Sequence, residues 1–237
     1  MEIAPGVHSI GQRRGGRVHA FLLDDGHDLS VIDTLFDTDG GRILAAIRRL
    51  GHTPSDLKQI VLTHGHRSHL GGLAALKRLT GATIYAHGWE ADIIAGERKA
   101  QPVTWRPVRP VRTWWPTYPF QLGINLGFGK HPACPIDRVV ADGDAIGPLQ
   151  VIHAPGHSPG HLAFYWPERR ALFAGDAIVT WPTVAPGWPS FTLNPTQHRA
   201  SLRRLAGLDV SVIGVGHGEP IVRDAAERLQ TLAHAQA

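Results

Sequence analysis

The stretch Leu62-Thr63-His64-Gly65-His66-Arg67-Ser68-His69 places three histidines within six positions. In extended chain, His64 and His66 point to the same face. His69 follows about one turn later, at the start of a predicted helix. Neutral imidazole suits Zn, Fe, Ni or Cu. Three crowded imidazoles repel one another when protonated and are costly to bury when they are not. A metal ion resolves both problems. Composition agrees: the chain has 15 His and a single Cys, Cys134, in 237 residues. That excludes an internal disulfide framework or a Cys-rich zinc module and leaves imidazole as the metal-binding group.

Further side chains of the same chemistry stand at the ends of apolar runs. Ala154-Pro155-Gly156-His157-Ser158-Pro159-Gly160-His161 follows Leu149–Ile152, with His153 just before it. Leu172-Phe173-Ala174-Gly175-Asp176 ends another run with a carboxylate, and Gly214-Val215-Gly216-His217-Gly218 ends a third with a histidine. Gly or Pro beside each lets the chain turn sharply. Loops at one edge of a sheet are where open α/β sites form.

The elements that must position these residues can be read from periodicity. Ala20–Leu23 and Leu29–Ile32 are short apolar runs split by Asp24-Asp25-Gly26, a hairpin signal. A helix opens at Asp39-Gly40-Gly41, with Ile43, Leu44, Ile47 and Leu50 on its apolar face. Ile60–Leu62 and Thr83–Ala86 read as strands flanking a helix marked by Leu73, Leu76 and Leu79. In the second half, Val139-Val140, Leu149–Ile152, Ala163–Trp166, Ala171–Phe173 and Val210–Val215 read as strands. Pro195–Leu205 and Ala225–His234 read as helices, the first capped by Asn194. Alternating strands and helices with hairpins predict sheets sandwiched between helices. The segment 101–135 departs from this pattern. Its density of Pro excludes a long helix or central strand, and Trp105, Trp114, Trp115, Tyr118, Phe120 and Phe128 exclude a disordered linker. It is expected to be an ordered inserted loop.

With these residues in view, the chain resembles the metallo-β-lactamase fold superfamily. The resemblance rests on Asp33 in Val-Ile-Asp-Thr, the His64/His66/His69 motif, His157, Asp176 and His217, in matching order from Val7 to about Pro220. Pro-Gly-His-Ser-Pro-Gly-His and Gly-His-Gly-Glu-Pro make it most similar to the small glyoxalase-II-like and lactonase-like hydrolases. The resemblance implies an α/β fold, an αββα sandwich of two mixed sheets between outer helices, as one domain over residues 1–237. It implies that His64, His66 and His157 hold a first metal, that Asp176 bridges, and that His69 and His217 belong to a second. Asp33 would orient a ligand or its loop. His153 and His161, which flank the His157 ligand, would support it rather than bind metal.

One departure matters. The family motif is HxHxDH, and here the Asp position is Ser68, with Arg67 beside it. A neutral hydroxyl is a poorer ligand for a divalent ion than a carboxylate. The expectation is therefore one zinc held firmly and a second held weakly or not at all, with Fe or Mn as alternatives. The implied reaction is hydrolysis: a zinc-bound water, its pKa lowered toward about 7, attacks an ester, lactone, thioester or β-lactam-type carbonyl. Asp176, His69 and Ser68 are the residues placed to matter for proton handling. Two alternatives stand beside it. One is a mononuclear iron enzyme resembling persulfide dioxygenases, using His64, His157 and Asp176 with His66 standing aside. The other is a degenerate metal-binding member without turnover.

The substrate is expected to be a small molecule, in an aromatic-walled pocket built from Trp114, Trp115, Tyr118, Trp181 and Trp188. The net charge of +4 is spread along the chain without a basic patch or nucleic-acid motif, so no nucleic-acid partner is expected. No targeting signal and no long apolar run is visible, so a cytoplasmic location without a membrane partner is expected. A homodimer through 101–135 is the one protein partner considered.

Overall fold

A computed structural model describes residues 1–100, 103–104 and 108–234. Gln101, Pro102, Trp105, Arg106 and Pro107 of the inserted segment, and residues 235–237, lie outside the described residues.

Strands β1 (Glu2–Ala4), β2 (Val7–Gln12), β3 (Val18–Asp24), β4 (Leu29–Ile32), β5 (Leu57–Val61), β6 (Thr83–His87) and β7 (Arg138–Val140) form one sheet in chain order. The first three pairings are antiparallel and the last three parallel. Strands β8 (Ala145–Ile146), β9 (Leu149–His153), β10 (Leu162–Trp166), β11 (Ala171–Phe173) and β12 (Val212–Gly214) form a second sheet in the order β12-β11-β10-β9-β8. There β11 and β12 are parallel and the other neighbours antiparallel. Both sheets are mixed.

The two faces of each strand separate into two cores. Phe21, Leu23, Ile32 and Val61 of the first sheet meet Leu149, Val151, Phe164, Trp166 and Phe173 of the second. The alternate residues Leu22, Val31 and Ile60 face Ile43 and Ile47 of helix Gly41–Arg49 and Leu73 and Leu76 of helix Leu73–Thr80. On the far side, Ile152, Tyr165 and Leu172 face Leu202 and Leu205 of helix Pro195–Leu205 and Leu229 of helix Ala225–His234. Period-two alternation with both faces apolar is what a sheet buried on both sides requires. The layers are helix, sheet, sheet, helix, the expected αββα sandwich.

Helix Pro195–Leu205 begins where expected, the Asn194 side chain accepting from the Gln197 N–H at 3.1 Å. Three local readings need correction. β1 and β2 were not expected; β2, Val-His-Ser-Ile-Gly-Gln, breaks the alternation that would have marked it. Leu79 is 50% exposed. Six residues past Leu73, it lies about 240° around the helix, on the wrong face. The described part of 101–135 is not a loop but holds helices Val111–Trp114 and Tyr118–Asn125. Pro119 sits in the first turn of the latter, where no N–H partner is lost. Val103 and Trp114 pack there against Val179, Ala185, Trp188 and Phe191. In the same segment Val111, Trp115, Leu122, Leu126 and Phe128 are exposed.

Candidate metal centre

β4, β5 and β6 run parallel, and β9, β11 and β12 share one direction through the antiparallel β10. Their C-terminal ends carry the chemistry. Asp33 follows β4, Thr63 to His69 follow β5, His157 follows β9, Asp176 follows β11 and His217 follows β12. Ligands gather at such carboxyl ends because the loops there converge.

Asp33 is the brace beneath this edge. Its Oδ1 accepts from the Thr63 N–H at 2.9 Å. Its Oδ2 accepts from the Thr63 hydroxyl at 2.8 Å and from His69 Nδ1 at 2.8 Å. The Thr63 hydroxyl hydrogen is thereby used, so its oxygen accepts from His64 Nδ1 at 3.0 Å. His217 Nδ1 donates to the Gly16 carbonyl at 2.8 Å. Three rings are thus held as Nδ1–H tautomers, assigned from the network. With the rings neutral, as a metal requires, each turns the lone pair of Nε2 inward, the arrangement that outer hydrogen bonds impose on metal-binding histidines.

The inward atoms converge on Asp176. His64 Nε2 and His157 Nε2 each lie 3.0 Å from His66 Nδ1. The Oδ2 of Asp176 is 3.8 Å from His64 Nε2, 3.5 Å from His157 Nε2 and 3.4 Å from His217 Nε2, and its Oδ1 is 3.4 Å from His69 Nε2. His64, His66, His157 and Asp176 form one group able to hold a metal ion, and His69, Asp176 and His217 a second. His64, His69, His157, Asp176 and His217 are buried. His69 Nε2 and Asp176 Oδ1 are buried without a hydrogen-bond partner. Lone pairs facing each other at 3.0 Å, and orphaned acceptors beside them, fit a cation between them. Ligand nitrogens around a tetrahedral zinc stand roughly 3.3 Å apart.

Electrostatics in the metal-free protein follow from this crowding. Burial holds His64 and His157 well below the usual 6.5, lowers His66 to about 4 and lowers His161 to about 3. Burial also opposes charge on His69, but Asp176 and Asp33 outweigh it and raise that ring to about 10. Burial raises the Asp176 carboxyl; His217 and His69 outweigh it, holding the group well below its usual value.

Among the supporting residues, His161 packs its ring 5.3 Å from that of His64, and its Nε2 accepts from the Asp176 N–H at 3.1 Å. It holds the backbone of Asp176. His153 stands apart from the cluster: it stacks on His87 at 4.7 Å and donates to the Pro159 carbonyl at 2.8 Å. Its reach is to the His157 loop, not to the ligand atoms. The sequence reading missed Glu90, which is 1% exposed. It accepts from the Gly65 and Gly160 N–H groups at 3.1 Å each and from the Ser158 hydroxyl at 2.5 Å. The one signal for it was a lone acid between Trp89 and Ala91 after β6.

A cavity of about 210 Å³ opens on the cluster through His66, Ser68, Asp176 and His217. Its apolar wall is Phe36, Phe120, Ile124, Phe128, Trp188 and Phe191. Arg67 lines it too, but its guanidinium lies 4.3 Å from the Phe36 ring centroid and donates to the Phe36 carbonyl at 2.8 Å. Of the five aromatics expected in the pocket, Trp188 lines this cavity, its ring stacked 4.2 Å from His217. The other four need correction. Trp114 is buried behind, Tyr118 donates to the Val108 carbonyl, Trp115 is 66% exposed and Trp181 borders a different cavity. The expected helix-free loop concealed which side Phe120 and Ile124 would face.

A family model described as the metallo-beta-lactamase superfamily matches residues 13–217. The chain is 25% identical over 240 residues to the "Probable metallo-hydrolase YflN" of Bacillus subtilis (strain 168), covering 93% of this chain and 86% of that one. It is 28% identical over 167 residues to a hydroxyacylglutathione hydrolase of Cereibacter sphaeroides, covering 68% of this chain but only 48% of that relative. Among solved structures, TTHA1623 in a di-iron-bound form is similar with a TM-score of 0.67 and 26% identity, covering 91% of this chain and 94% of that one.

Proposed function

This chain belongs to the metallo-beta-lactamase superfamily, and we propose that it is a metal-dependent hydrolase acting on an ester, lactone, thioester or β-lactam-type carbonyl. The observation that carries the reading is the convergence of His64, His66, His157 and Asp176 on one volume, with His69 and His217 sharing Asp176, at the floor of an apolar cavity. His64, His66, His157 and Asp176 would hold one ion firmly. His69, His217 and the shared Asp176 would hold a second weakly, because Ser68 brings no carboxylate. When bound, the metal supplies a Lewis acid for the carbonyl and lowers the pKa of water toward about 7, with zinc the first choice.

The chain's own residues supply the rest. Asp33 keeps His69 and, through Thr63, His64 in one tautomer. His161 fixes the backbone of Asp176. Asp176 Oδ1, buried without a hydrogen-bond partner and 3.4 Å from His69 Nε2, would be the carboxylate oxygen placed to take a proton from water in the site. Ser68 lines the same cavity. Phe36, Phe120, Trp188 and Phe191 exclude water and seat an apolar part of a small-molecule substrate.

A panel of ester, lactone, thioester, β-lactam and phosphotriester substrates, assayed with added Zn, Mn and Fe, tests this. Metal-dependent hydrolysis of at least one carbonyl substrate is expected; none would leave a non-catalytic metal-binding protein as the better account. The di-iron-bound form of TTHA1623 favours iron as the metal, which leaves a second reading, a mononuclear iron enzyme resembling persulfide dioxygenases. Against it, His66 Nδ1 sits within 3.0 Å of two neighbouring ligand atoms and does not stand aside. Oxygen uptake with glutathione persulfide would favour that second reading.

A further inference from the structure

We propose that Glu90 is a positioning residue that sets the spacing between the two loops bearing His64, His66 and His157. The inference rests on the metal-centre reading above. Glu90 ends the turn Gly88–Glu90 that follows β6, and helix Ala91–Ile94 begins beside it. Its Oε2 takes the N–H of Gly65, the residue between His64 and His66. Its Oε1 takes the hydroxyl of Ser158 and the N–H of Gly160, which follow His157. One carboxylate thus spans two loops far apart in sequence, at the level of the histidines. The ladder bond from Leu162 N–H to the Thr63 carbonyl joins the same loops only at the strand ends.

The approach is close enough to dictate residue types. A Cβ at Gly65 would stand 3.0 Å from Glu90 Oε2, and one at Gly160 would stand 2.8 Å from Glu90 Cγ. Glycine at both positions lets the two loops close on the acid. All the hydrogen bonds run toward Glu90, so it needs acceptors on both carboxyl oxygens. A carboxylate supplies them, and an amide turns a donor toward one of them. Buried polar groups tied this way hold ligands at the separation a metal needs, which surface contacts do not.

The test is Glu90→Gln in the full chain, with zinc affinity read by competition against a chromophoric chelator and site geometry read by the visible absorption of the Co(II)-loaded protein. The expected result is a first-equivalent zinc dissociation constant raised about 10–100-fold, with an altered Co(II) band. A merely structural role would lower the unfolding temperature but leave affinity and band unchanged, and that result would overturn the proposal. If Glu90→Gln does not fold, Ser158→Ala removes one donor and leaves the acid in place. It should weaken zinc roughly 3–10-fold, and unchanged affinity would overturn the proposal equally. Wild-type protein that takes up no zinc sinks the metal-centre reading, and this inference with it. Zinc-binding wild type with an indistinguishable Glu90→Gln sinks this inference alone.

Discussion

His64, His69 and His217 each use the outward nitrogen in a second hydrogen bond, and those bonds predict the effects of small changes. Asp33 satisfies the Thr63 N–H, the Thr63 hydroxyl and His69 Nδ1. Asp33→Asn must turn an NH₂ toward one of these donors. Metal affinity should fall about 10–100-fold, as for other outer partners of metal ligands, and chelator competition measures it. Ser68→Asp adds the missing carboxylate beside His69 and should raise the metal content from about one toward about two equivalents, with faster turnover. Unchanged content and rate would remove Ser68 as the reason for a weak second site. At this scale the ligand types were legible because imidazoles two and three positions apart restrict the geometry so strongly. Glu90 was not. A single acid has no spacing to read, and its partners are backbone groups of loops that meet it only in the fold.

Strand ends, not the strands themselves, make the site. Gly216 follows β12 so closely against Asp176 that an added Cβ would fall on Asp176 Oδ1. Gly216→Ala should therefore expel the metal while the β-sheet circular dichroism stays intact; retained metal would show that Asp176 can yield. Helix Tyr118–Asn125 contributes Phe120 to the cavity wall, 5.5 Å from Trp188. Truncating Phe120 to Ala removes apolar contact worth about 1.5–3 kcal/mol when full, so KM for an aromatic acyl substrate should rise about tenfold. An acetyl substrate should hardly change, and equal effects on both would place Phe120 outside the substrate path. The strands other than β1, β2 and β8, and the helices Pro195–Leu205 and Ala225–His234, were legible because both their faces or their caps carry a signal. The pocket aromatics were misassigned because Trp and Pro content marks an ordered segment without saying which side chains of its short helices turn inward.

Across the whole molecule, two sheets packed through Phe21, Phe164, Trp166 and Phe173 give the loops a rigid base. Among the described residues no helix is long and apolar enough to cross a membrane. The layer order was legible from alternating strands and helices; the pairing of β1 and β2 was not, since β2 lacks clean alternation. The buried histidines also predict how the metal-free protein responds to pH. His64, His66, His157 and His161 are held below 6.5 by burial. The unfolded chain therefore takes up these protons first. Their contribution is complete above 6.5 and is lost as pH falls through the range down to about 4 for His66 and about 3 for His161. His69 works in the opposite direction. Raised to about 10, it contributes fully below 6.5 and loses that contribution as pH climbs toward 10. Unfolding temperatures in chelator should peak near neutrality and fall more steeply on the acid side. A flat profile between about pH 7 and pH 4.5 would contradict the burial described here.

Everything above turns on a metal ion held by His64, His66, His157 and Asp176. Metal content of protein purified without chelator, measured beside a His64→Ala variant, tests it most directly. About one tightly held equivalent per chain is expected, lost in the variant. Metal-free wild-type protein that ignores added Zn, Mn and Fe, or a His64→Ala variant that retains its metal, would contradict it.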